Sequence, residues 1–420
     1  MTKKWISVSL STLLAMGILG GTTSVVMADT TPELTLMVTN QWTDTENNEY
    51  AAKFAEKIEE FEKEYNCKVT LEGASQQDIK ENFQTAALAG GGADMVIMDS
   101  SGHAIDLAAM GLLLPLSTFT TAEELEATYQ AGPLNSGKYE GEYYSMPWYM
   151  DCCGLYYNQD ILNECNVEVP TTWDELLEAI KTVTASGHGG ISTYLSAYAF
   201  YSFFYQNECD VIDTSGELPV VTIDDENGKE AWDYICELIE AGGLVESFSE
   251  STSWDKVYES FASGESTFVL GGDWIAEGVD KITSDINYGI TTMVKGKTQA
   301  TILGGWTWNI NANTENQELC YEFAKYIASD KCDDVLAARG KISTRLDTDY
   351  SVFLKGKEQL EIFTEQYPYT MARPAVINEK GIDQLIVDEI LKVQFKEINA
   401  EDGLKELAEN IRQNIAENYS

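Results

Sequence analysis

Residues 138–180 read KYEGEYYSMPWYMDCCGLYYNQDILNECNVEVPTTWDELLEAI, an aromatic segment that runs into a strong helix signal. Pro170 keeps the residue before it out of a helix. Thr172 and Glu175 form a capping-box pattern, in which a hydroxyl and a carboxylate each satisfy a backbone donor of the first turn. The apolar residues that follow recur at helical spacing: Trp173, Leu176, Leu177 and Ile180. The pattern predicts a helix that buries one face.

One carboxylate, that of Asp151, lies among the aromatic residues of this segment. The rings around it belong to Tyr143, Tyr144, Trp148, Tyr149, Tyr156 and Tyr157. Aromatic rings offer flat apolar faces, and a carboxylate accepts hydrogen bonds from hydroxyl groups. Because a sugar has apolar ring faces and many hydroxyl donors, this combination suits a sugar ligand. The alternative, strand-core aromatic residues beside a surface Asp, also explains the same composition.

The chain before residue 100 alternates between strand and helix patterns. Residues 34–39, 67–71 and 95–98 indicate strands, and two amphipathic repeats between them indicate helices. This order predicts an α/β fold with a parallel sheet and covering helices. Ligands of such sheets bind beyond the carboxyl ends of the strands. The candidate site residues at those ends are Trp42, Gln77, Asp99 and Ser100, with ordinary loop chemistry as the alternative.

Three later segments add aromatic candidates. The run 194–205 carries too many rings for one amphipathic face, which predicts mostly helix core with one or two rings toward a ligand. Glycine pairs at 271–272 and 304–305 precede the other two segments, and glycine lets a backbone approach a ligand closely. The candidate rings are Tyr198, Trp274, Trp306 and Trp308, the last two on the same side of an extended chain.

The balance of charges excludes several kinds of partner. The chain has 69 Asp and Glu residues against 27 Lys and Arg, a formal net charge of −42. Such a surface repels nucleic acid and anionic lipid and favours solubility. The shortage of basic residues also disfavours a phosphate-bearing ligand. We therefore expect no nucleic-acid partner.

Residues 1–28 have the pattern of a secretory signal peptide. Lys3 and Lys4 precede an apolar run from Ile6 to Leu19, and small residues up to Ala28 suit cleavage. The run is interrupted by polar residues and is shorter than the roughly 20 residues that span a bilayer. The sequence therefore predicts an exported protein.

Cysteine and histidine usage does not indicate a metal or redox site. The eight cysteines show neither a small-domain disulfide framework nor a C-x-x-C motif, and the chain has only two histidines, His103 and His188. A core of this size needs no disulfide to hold it. We expect buried thiols, no metal site and no cofactor.

Five separated motifs carry a resemblance to a known family. They are ALAGGGADMVIMDSSGHAIDLAAMGLLLPL at 87–116, the YEGEYYSMP to PTTWDEL segment at 139–176, YESFASGESTFVLGGDWIAEGV at 258–279, ILGGWTWNINANTENQELCYEFAKYIAS at 302–329, and the contexts of Arg345 and Arg373. In this order they resemble the motifs of family 1 extracellular solute-binding proteins, the sugar receptors of ABC importers. Ala93 and Ser343 stand where that family usually has proline.

The resemblance implies a periplasmic-binding-protein type II fold, with two α/β lobes, a hinge and a ligand cleft between the lobes. Lobe one would comprise 29–150 and 294–330, and lobe two 151–293 and 331–420. The protein would be a monomer that closes around a sugar or oligosaccharide and delivers it to the permease subunits of an ABC transporter.

The resemblance also implies roles for individual residues. Stacking on sugar faces would fall to Trp42, Tyr149, Trp274 and Trp306. Hydrogen bonds to hydroxyl groups would come from Gln77, Asp99, Asp151 and Arg345. Tyr198 and Trp308 would add aromatic edges, and Ser100 and Arg373 complete the expected ligand-binding set.

The expected location follows from the signal segment and from one departure. Receptors of this kind that are tethered to a Gram-positive-type membrane usually carry a lipid-modified Cys at the cleavage site. Here Ala28 and Asp29 stand there, and the next cysteine is Cys67. Lipid anchoring is therefore unsupported, and periplasmic and freely secreted forms both remain open.

Two other classes of function remain as alternatives. A receptor of the same fold for a cationic or other non-sugar solute is one, since carboxylates and aromatic rings also hold amines. A secreted glycosidase with paired carboxylates is the other. No catalytic motif singles out such a pair, so we expect a binding protein and no enzyme.

Overall fold

Two β-sheets organise the residues that the structure, a computed structural model, describes: 31–100, 102–216, 218–283 and 285–419. The predicted signal segment, 1–28, lies outside the described residues. In chain order the strands are β1 (Glu33–Thr39), β2 (Lys68–Ala74), β3 (Met95–Asp99), β4 (Lys138–Tyr139), β5 (Glu142–Tyr143), β6 (Ser145–Cys152), β7 (Gly154–Asn158), β8 (Gly189–Ser192), β9 (Ile212–Asp213), β10 (Val220–Val221), β11 (Ser266–Gly271), β12 (Tyr288–Thr291), β13 (Thr301–Ile310), β14 (Ile342–Ser343) and β15 (Thr370–Met371).

Helices cover both sheets. In chain order they are α1 (Glu49–Tyr65), α2 (Ile79–Leu88), α3 (His103–Ala109), α4 (Ala122–Thr128), α5 (Ala131–Asn135), α6 (Gln159–Cys165), α7 (Trp173–Ala185), α8 (Tyr198–Gln206), α9 (Glu226–Glu240), α10 (Trp254–Ala262), α11 (Trp274–Ile282), α12 (Gln317–Ile327), α13 (Asp333–Arg339), α14 (Tyr350–Leu354), α15 (Glu361–Gln366), α16 (Glu379–Gln394) and α17 (Ala400–Asn418). The predicted capping box of α7 is confirmed, because Thr172 and Glu175 each accept a backbone N–H of the other.

The first sheet has the strand order β14-β6-β13-β3-β1-β2, with β15 beside β13. β1 is parallel to β2 and to β3, and α1 and α2 make the connections, which confirms the predicted α/β pattern. β13 runs antiparallel to β3 and β6, so its early residues lie beside the carboxyl end of β3. This arrangement brings polar residues from several strands to one edge of the sheet.

The second sheet has the order β12-β7-β11-β8. The chain enters it between β6 and β7, at Cys153, and leaves it between β12 and β13. We call the first sheet with its covering helices lobe 1, and the second sheet with its covering helices lobe 2. The described part of the chain therefore has the two α/β lobes that the sequence predicts.

The segment after residue 330 contributes to both lobes, whereas the sequence predicts that all of it belongs to lobe 2. β14 pairs with β6 and β15 pairs with β13, so both strands satisfy their backbone groups on the sheet of lobe 1. Helices α16 and α17 instead pack with α9 in the hydrophobic core of lobe 2. The chain consequently crosses between the lobes a third time, between Met371 and Glu379, and we call 372–378 the third crossing.

The core explains two features of the sequence. Every residue of α8 is buried, so its dense aromatic run is mostly core, as predicted. All eight cysteines are free thiols, seven of them buried and Cys165 half-buried. Among the described residues, no helix combines the length and the apolar character needed to cross a bilayer.

Candidate functional site

A cavity of about 600 Å³ is lined by residues of lobe 1, lobe 2 and the third crossing. Lobe 1 contributes side chains from beyond the carboxyl ends of β1, β2 and β3. We call four of them the polar rim: Gln76, Gln77, Asp99 and Ser100. The volume is within the usual range for small-molecule sites, roughly 300–1,000 Å³.

The structure brings eight of the twelve predicted site residues together at this cavity. They are Gln77, Asp99, Ser100, Asp151, Tyr198, Trp274, Trp306 and Arg373. Seven separate segments of the chain supply them, so only the fold makes them neighbours. These eight form the basis of the candidate site.

Trp42 and Trp308 do not line the cavity, and neither has exposed surface. Trp42 ends a short 3-10 turn after β1, and its ring centroid lies 4.7 Å from that of Trp148. The ring of Trp308 packs 5.4 Å from Phe323 and 5.3 Å from Trp148. A ring enclosed by other rings has no face left for a ligand, so we leave both residues out of the site.

Tyr149 and Arg345 also lie away from the cavity lining. Tyr149 is 1% exposed, and burial raises the pKa of its hydroxyl to about 12. Arg345 donates to both carboxylate oxygens of Asp333 at 2.9 Å and to Asp347 at 3.0 Å. The bidentate pair with Asp333 holds the start of α13 close to the chain after β14. Arg345 therefore has a structural role.

Sequence reasoning missed several residues of the cavity. The missed aromatic residues are Tyr194, Trp254 and Tyr258, and the missed cations are Arg339, Lys341 and Lys380. Trp254 and Tyr258 are four residues apart in α10, and Tyr258 is the first residue of the motif at 258–279, so their helical spacing was an available signal. For Arg339, Lys341 and Lys380 the sequence offered no signal beyond the shortage of basic residues in an acidic chain.

The rings of lobe 2 form a continuous surface, which we call the aromatic wall: Tyr194, Tyr198, Trp254, Tyr258 and Trp274. The ring centroids of Trp254 and Trp274 are 5.1 Å apart with the planes at 70°. Tyr194 stacks on Trp254 at 5.4 Å, while Tyr198 lies 6.1 Å from Trp274. Gly272 is required here, because a side chain at that position would overlap the ring of Trp274.

A buried ionic triad lies at the part of the cavity lined by Asp151 and Lys341, which we call its inner end; Asp273, the third member, does not line the cavity. The ammonium of Lys341 lies 3.1 Å from Asp151 Oδ2 and also bonds Asp273, and all three side chains are at most 7% exposed. Burial raises the pKa of Asp273 to about 6, against the opposing effect of Lys341. Burial alone would lower the pKa of Lys341, but the two carboxylates raise it above its ordinary value. Lys341 therefore stays charged.

A second ionic cluster lies where the third crossing meets α16. Arg373 Nε is 3.5 Å from Glu379 Oε1, and its guanidinium lies 5.3 Å from the ring centroid of Tyr198. Burial raises the pKa of Glu379 to about 7 and also raises the pKa of Asp383. The backbone N–H of Gly102, in lobe 1, donates to Glu379 at 3.3 Å. The cluster therefore links the two lobes beside the cavity.

Two donors of the aromatic wall lack partners. The hydroxyl of Tyr198 and Nε1 of Trp274 are buried without a hydrogen-bond partner among the described residues. Buried polar groups of this kind are normally satisfied, and leaving one unsatisfied costs about 1–3 kcal/mol. Both residues line the cavity. Neither donor atom has accessible surface of its own, so a ligand would reach them only after the two rings moved.

The fold and the cavity define a class of protein. Two α/β lobes are linked by crossing segments, and a cavity between them is lined by rings on one side and polar groups on the other. The described residues contain no group of three or more His, Cys, Asp or Glu side chains arranged to hold a metal ion. This architecture is that of a two-lobed solute-binding protein.

Comparison with known proteins identifies the family. The family model for bacterial extracellular solute-binding proteins matches residues 45–331, and the chain belongs to this family. A galactooligosaccharide-binding protein of Bacillus subtilis is 24% identical over 301 residues, 68% of this chain and 68% of its own length. An arabinooligosaccharide-binding protein of Halalkalibacterium halodurans is 22% identical over 379 residues, 83% of this chain and 82% of its own length.

Solved structures share the fold. The GacH receptor of Streptomyces glaucescens, known unliganded and in complex with acarbose, has a TM-score of 0.76 at 24% identity and covers 91% of this chain and 98% of its own. A cyclo/maltodextrin-binding protein in complex with maltotetraose has a TM-score of 0.76 at 18% identity, with 92% and 98% coverage. The chain thus has the type II fold that its sequence motifs imply.

Proposed function

We propose that this protein captures a neutral sugar or oligosaccharide between its lobes and delivers it to the permease of an ABC transporter. One observation carries the proposal: the aromatic wall of lobe 2 faces the same cavity as the polar rim of lobe 1. Rings offer flat surfaces to the apolar faces of a sugar, while amide and carboxylate groups bind its hydroxyls. The sugars named for the relatives and for the bound structural neighbours support this ligand class.

The electrostatics of the cavity support a neutral ligand. Lys341 is bonded to two carboxylates, and Arg373 is paired with Glu379. These two of the four cations at the cavity are therefore occupied, and Arg339 and Lys380 are the other two. An anionic ligand would also meet Asp99 and Asp151 at the same cavity. A neutral polyhydroxylated molecule avoids this cost, because hydroxyl groups donate to carboxylates.

The same contacts support binding without catalysis. A glycosidase needs two carboxylates free to serve as acid and as base or nucleophile. Asp151 and Asp273 are instead both held by Lys341. The relatives that the chain matches are named as binding proteins. We therefore assign no reaction to this cavity.

The biological setting follows from the family and the sequence. We propose that residues 1–28 direct export, and that the mature protein works as a monomer outside the cytoplasmic membrane. The lobes would close around the sugar, because the closed form adds contacts from both sides of the cavity. The closed pair of lobes would then dock on the permease.

A thermal-shift screen of the mature chain tests the proposal. The panel contains neutral mono- and oligosaccharides, sugar acids, polyamines and divalent metals. A ligand that binds only the folded state adds about 2.7 kcal/mol of stability at a hundredfold excess over its Kd. We expect a rise in Tm with a neutral saccharide that chromatography recovers intact. Shifts with amines or metals alone would exclude the sugar, and loss of the saccharide would indicate an enzyme.

A further inference from the structure

Acidic and aromatic side chains surround the ammonium group of Lys341. Nζ lies 3.1 Å from Asp151 and bonds Asp273, as part of the triad described above. It also lies 4.8 Å from the ring centroid of Trp274 and 5.9 Å from that of Tyr149. Two carboxylates and two aromatic rings therefore surround one primary ammonium, with the guanidinium of Arg339 on the Tyr149 ring at 6.0 Å from its centroid.

This set of groups is the one that proteins use to bind an organic amine. An ammonium within about 6 Å of an aromatic face is attracted by the ring, and a buried carboxylate supplies the opposite charge. In this protein the ammonium comes from the chain itself. An amine ligand that approached the inner end of the cavity would find both carboxylates already bonded and would meet a like charge.

The backbone holds Lys341 firmly in this position. Gly340 ends α13 in the left-handed region with φ 77°, which turns the chain, and the N–H of Lys341 donates to the carbonyl of Leu336 at 2.9 Å. The next two residues form β14, which pairs with β6 beside Asp151. The lysine side chain is thus directed between the carboxylates by a capped helix end and a paired strand.

We propose that Lys341 is a specificity-determining residue of the cavity: its ammonium fills an amine-binding cage formed by Asp151, Asp273, Trp274 and Tyr149 and so excludes the ammonium group of a cationic solute from the inner end. The exclusion of amines stands on this geometry alone. Its consequence, that Asp151 is left to accept hydroxyl groups of a neutral ligand, rests on the proposed function. Removal of the lysine side chain should convert the inner end of the cavity into a site for a small primary amine.

The test is chemical rescue of Lys341→Ala. The part removed beyond Cβ corresponds to n-propylammonium, so that cation is the probe, and 1-propanol is the uncharged probe of similar size. Two unpaired buried carboxylates destabilise the variant, because breaking a buried ion pair leaves uncompensated charge. We expect propylammonium to raise the Tm of Lys341→Ala and to bind it at least tenfold more tightly than it binds the wild type. 1-Propanol should do neither.

Lys380→Ala is the matched control. Lys380 also lines the cavity but is exposed, so its removal opens no enclosed cage. This variant should respond to propylammonium as the wild type does. A folded Lys341→Ala that responds no more than Lys380→Ala would overturn the proposal.

Two further measurements test the proposal if Lys341→Ala does not fold. The double variant Lys341→Ala/Asp273→Asn keeps Asp151 and both rings with less buried charge, and its Tm should still rise with propylammonium and stay unchanged with 1-propanol. The refolding yield of Lys341→Ala should likewise rise only with propylammonium, and equal yields with the two probes contradict the cage. No sugar is used, so a failure of the proposed sugar binding leaves these results unaffected.

Discussion

Asp151 of β6 lies directly opposite Gly304 of β13 in the antiparallel pairing of the two strands. A Cβ atom at position 304 would overlap Oδ1 of Asp151 and would lie 2.9 Å from the hydroxyl of Tyr198. The absent side chain therefore leaves the space in which a carboxylate of lobe 1 and a hydroxyl of lobe 2 face the same part of the cavity. A glycine inside a strand often marks a place where a ligand approaches the backbone closely.

Gly304→Ala should weaken ligand binding by about tenfold or more. The added methyl group must displace Asp151, and overpacking of a well-packed site costs roughly 1–3 kcal/mol. Titration calorimetry with the saccharide found in the screen measures the change in Kd. Gly91→Ala is the control, because a Cβ at 91 meets nothing within 4 Å. Equal affinities for the two variants would show that the space above Gly304 is not part of the site.

Trp274→Ala should weaken binding by about 2 kcal/mol, roughly thirtyfold in Kd, because the ring is the centre of the aromatic wall. The matched control is Trp173→Ala. Trp173 is a partly buried tryptophan that stacks on Tyr234 at 4.2 Å and does not line the cavity. Affinity should fall in the first variant and stay near the wild-type value in the second. The reverse order would contradict the assignment of the wall.

Trp42→Ala should affect stability and not affinity. The ring is completely buried against Tyr50, Phe54 and Trp148, and removal of such a ring costs about 3–5 kcal/mol. Urea unfolding should show this loss, while the folded protein should bind the ligand with unchanged Kd. A stable variant with weakened binding would return Trp42 to the site.

Glu379→Gln tests the ionic cluster at the third crossing through pH. Burial raises the pKa of Glu379 to about 7, whereas in the unfolded chain a glutamate titrates near its ordinary value of about 4.3. Between these values the folded form holds a proton that the unfolded form has lost, so lowering the pH through this window stabilises the fold. Glutamine cannot titrate and lacks this gain.

Between pH 8 and pH 5.5 the wild type should gain on the order of 2 kcal/mol of stability relative to Glu379→Gln. Thermal melts of both proteins at the two pH values measure the difference. Asp273, with a pKa of about 6, and His103, whose pKa burial lowers to about 4, are present in both proteins and cancel in the comparison. Asp383 acts on Glu379 and also has a raised pKa, so the difference reports these two carboxyl groups together. A constant difference across this range would place the Glu379 pKa near its ordinary value.

The elements of the fold were largely predictable because their signals are local. The capping box at Thr172 and Glu175 and the alternation of strand and helix patterns before residue 100 depend on neighbours in sequence. The destination of the segment after residue 330 was not predictable in the same way. Two-residue strands such as β14 and β15 carry no pattern of their own, and only their partners in lobe 1 define them.

The two tryptophans of β13 show where prediction of the site ends. Alternation puts Trp306 and Trp308 on one side of the strand, but it does not tell how deeply each lies in the sheet. Trp306 pairs with Asp99 at the carboxyl end of β3 and lines the cavity. Trp308 pairs with Ile97, two residues before the carboxyl end of β3, and the rings of Phe54 and Phe323 cover it there.

Lys341 illustrates a different limit. Nothing near it in sequence marks it, because Asp151 and Asp273 are 190 and 68 residues away along the chain. The carboxylate at 151 was recognisable among its aromatic neighbours, whereas the cation that bonds it appears only once the lobes are assembled.

Titration calorimetry of the mature chain with neutral di- to tetrasaccharides, and with polyamines as the competing class, separates a sugar receptor from an amine receptor. We expect saturable binding of one neutral saccharide per chain, lost or strongly weakened in Trp274→Ala, and no saturable one-to-one binding of a polyamine. One-to-one binding of a polyamine to the wild type, with no neutral saccharide bound, would rule out the sugar receptor.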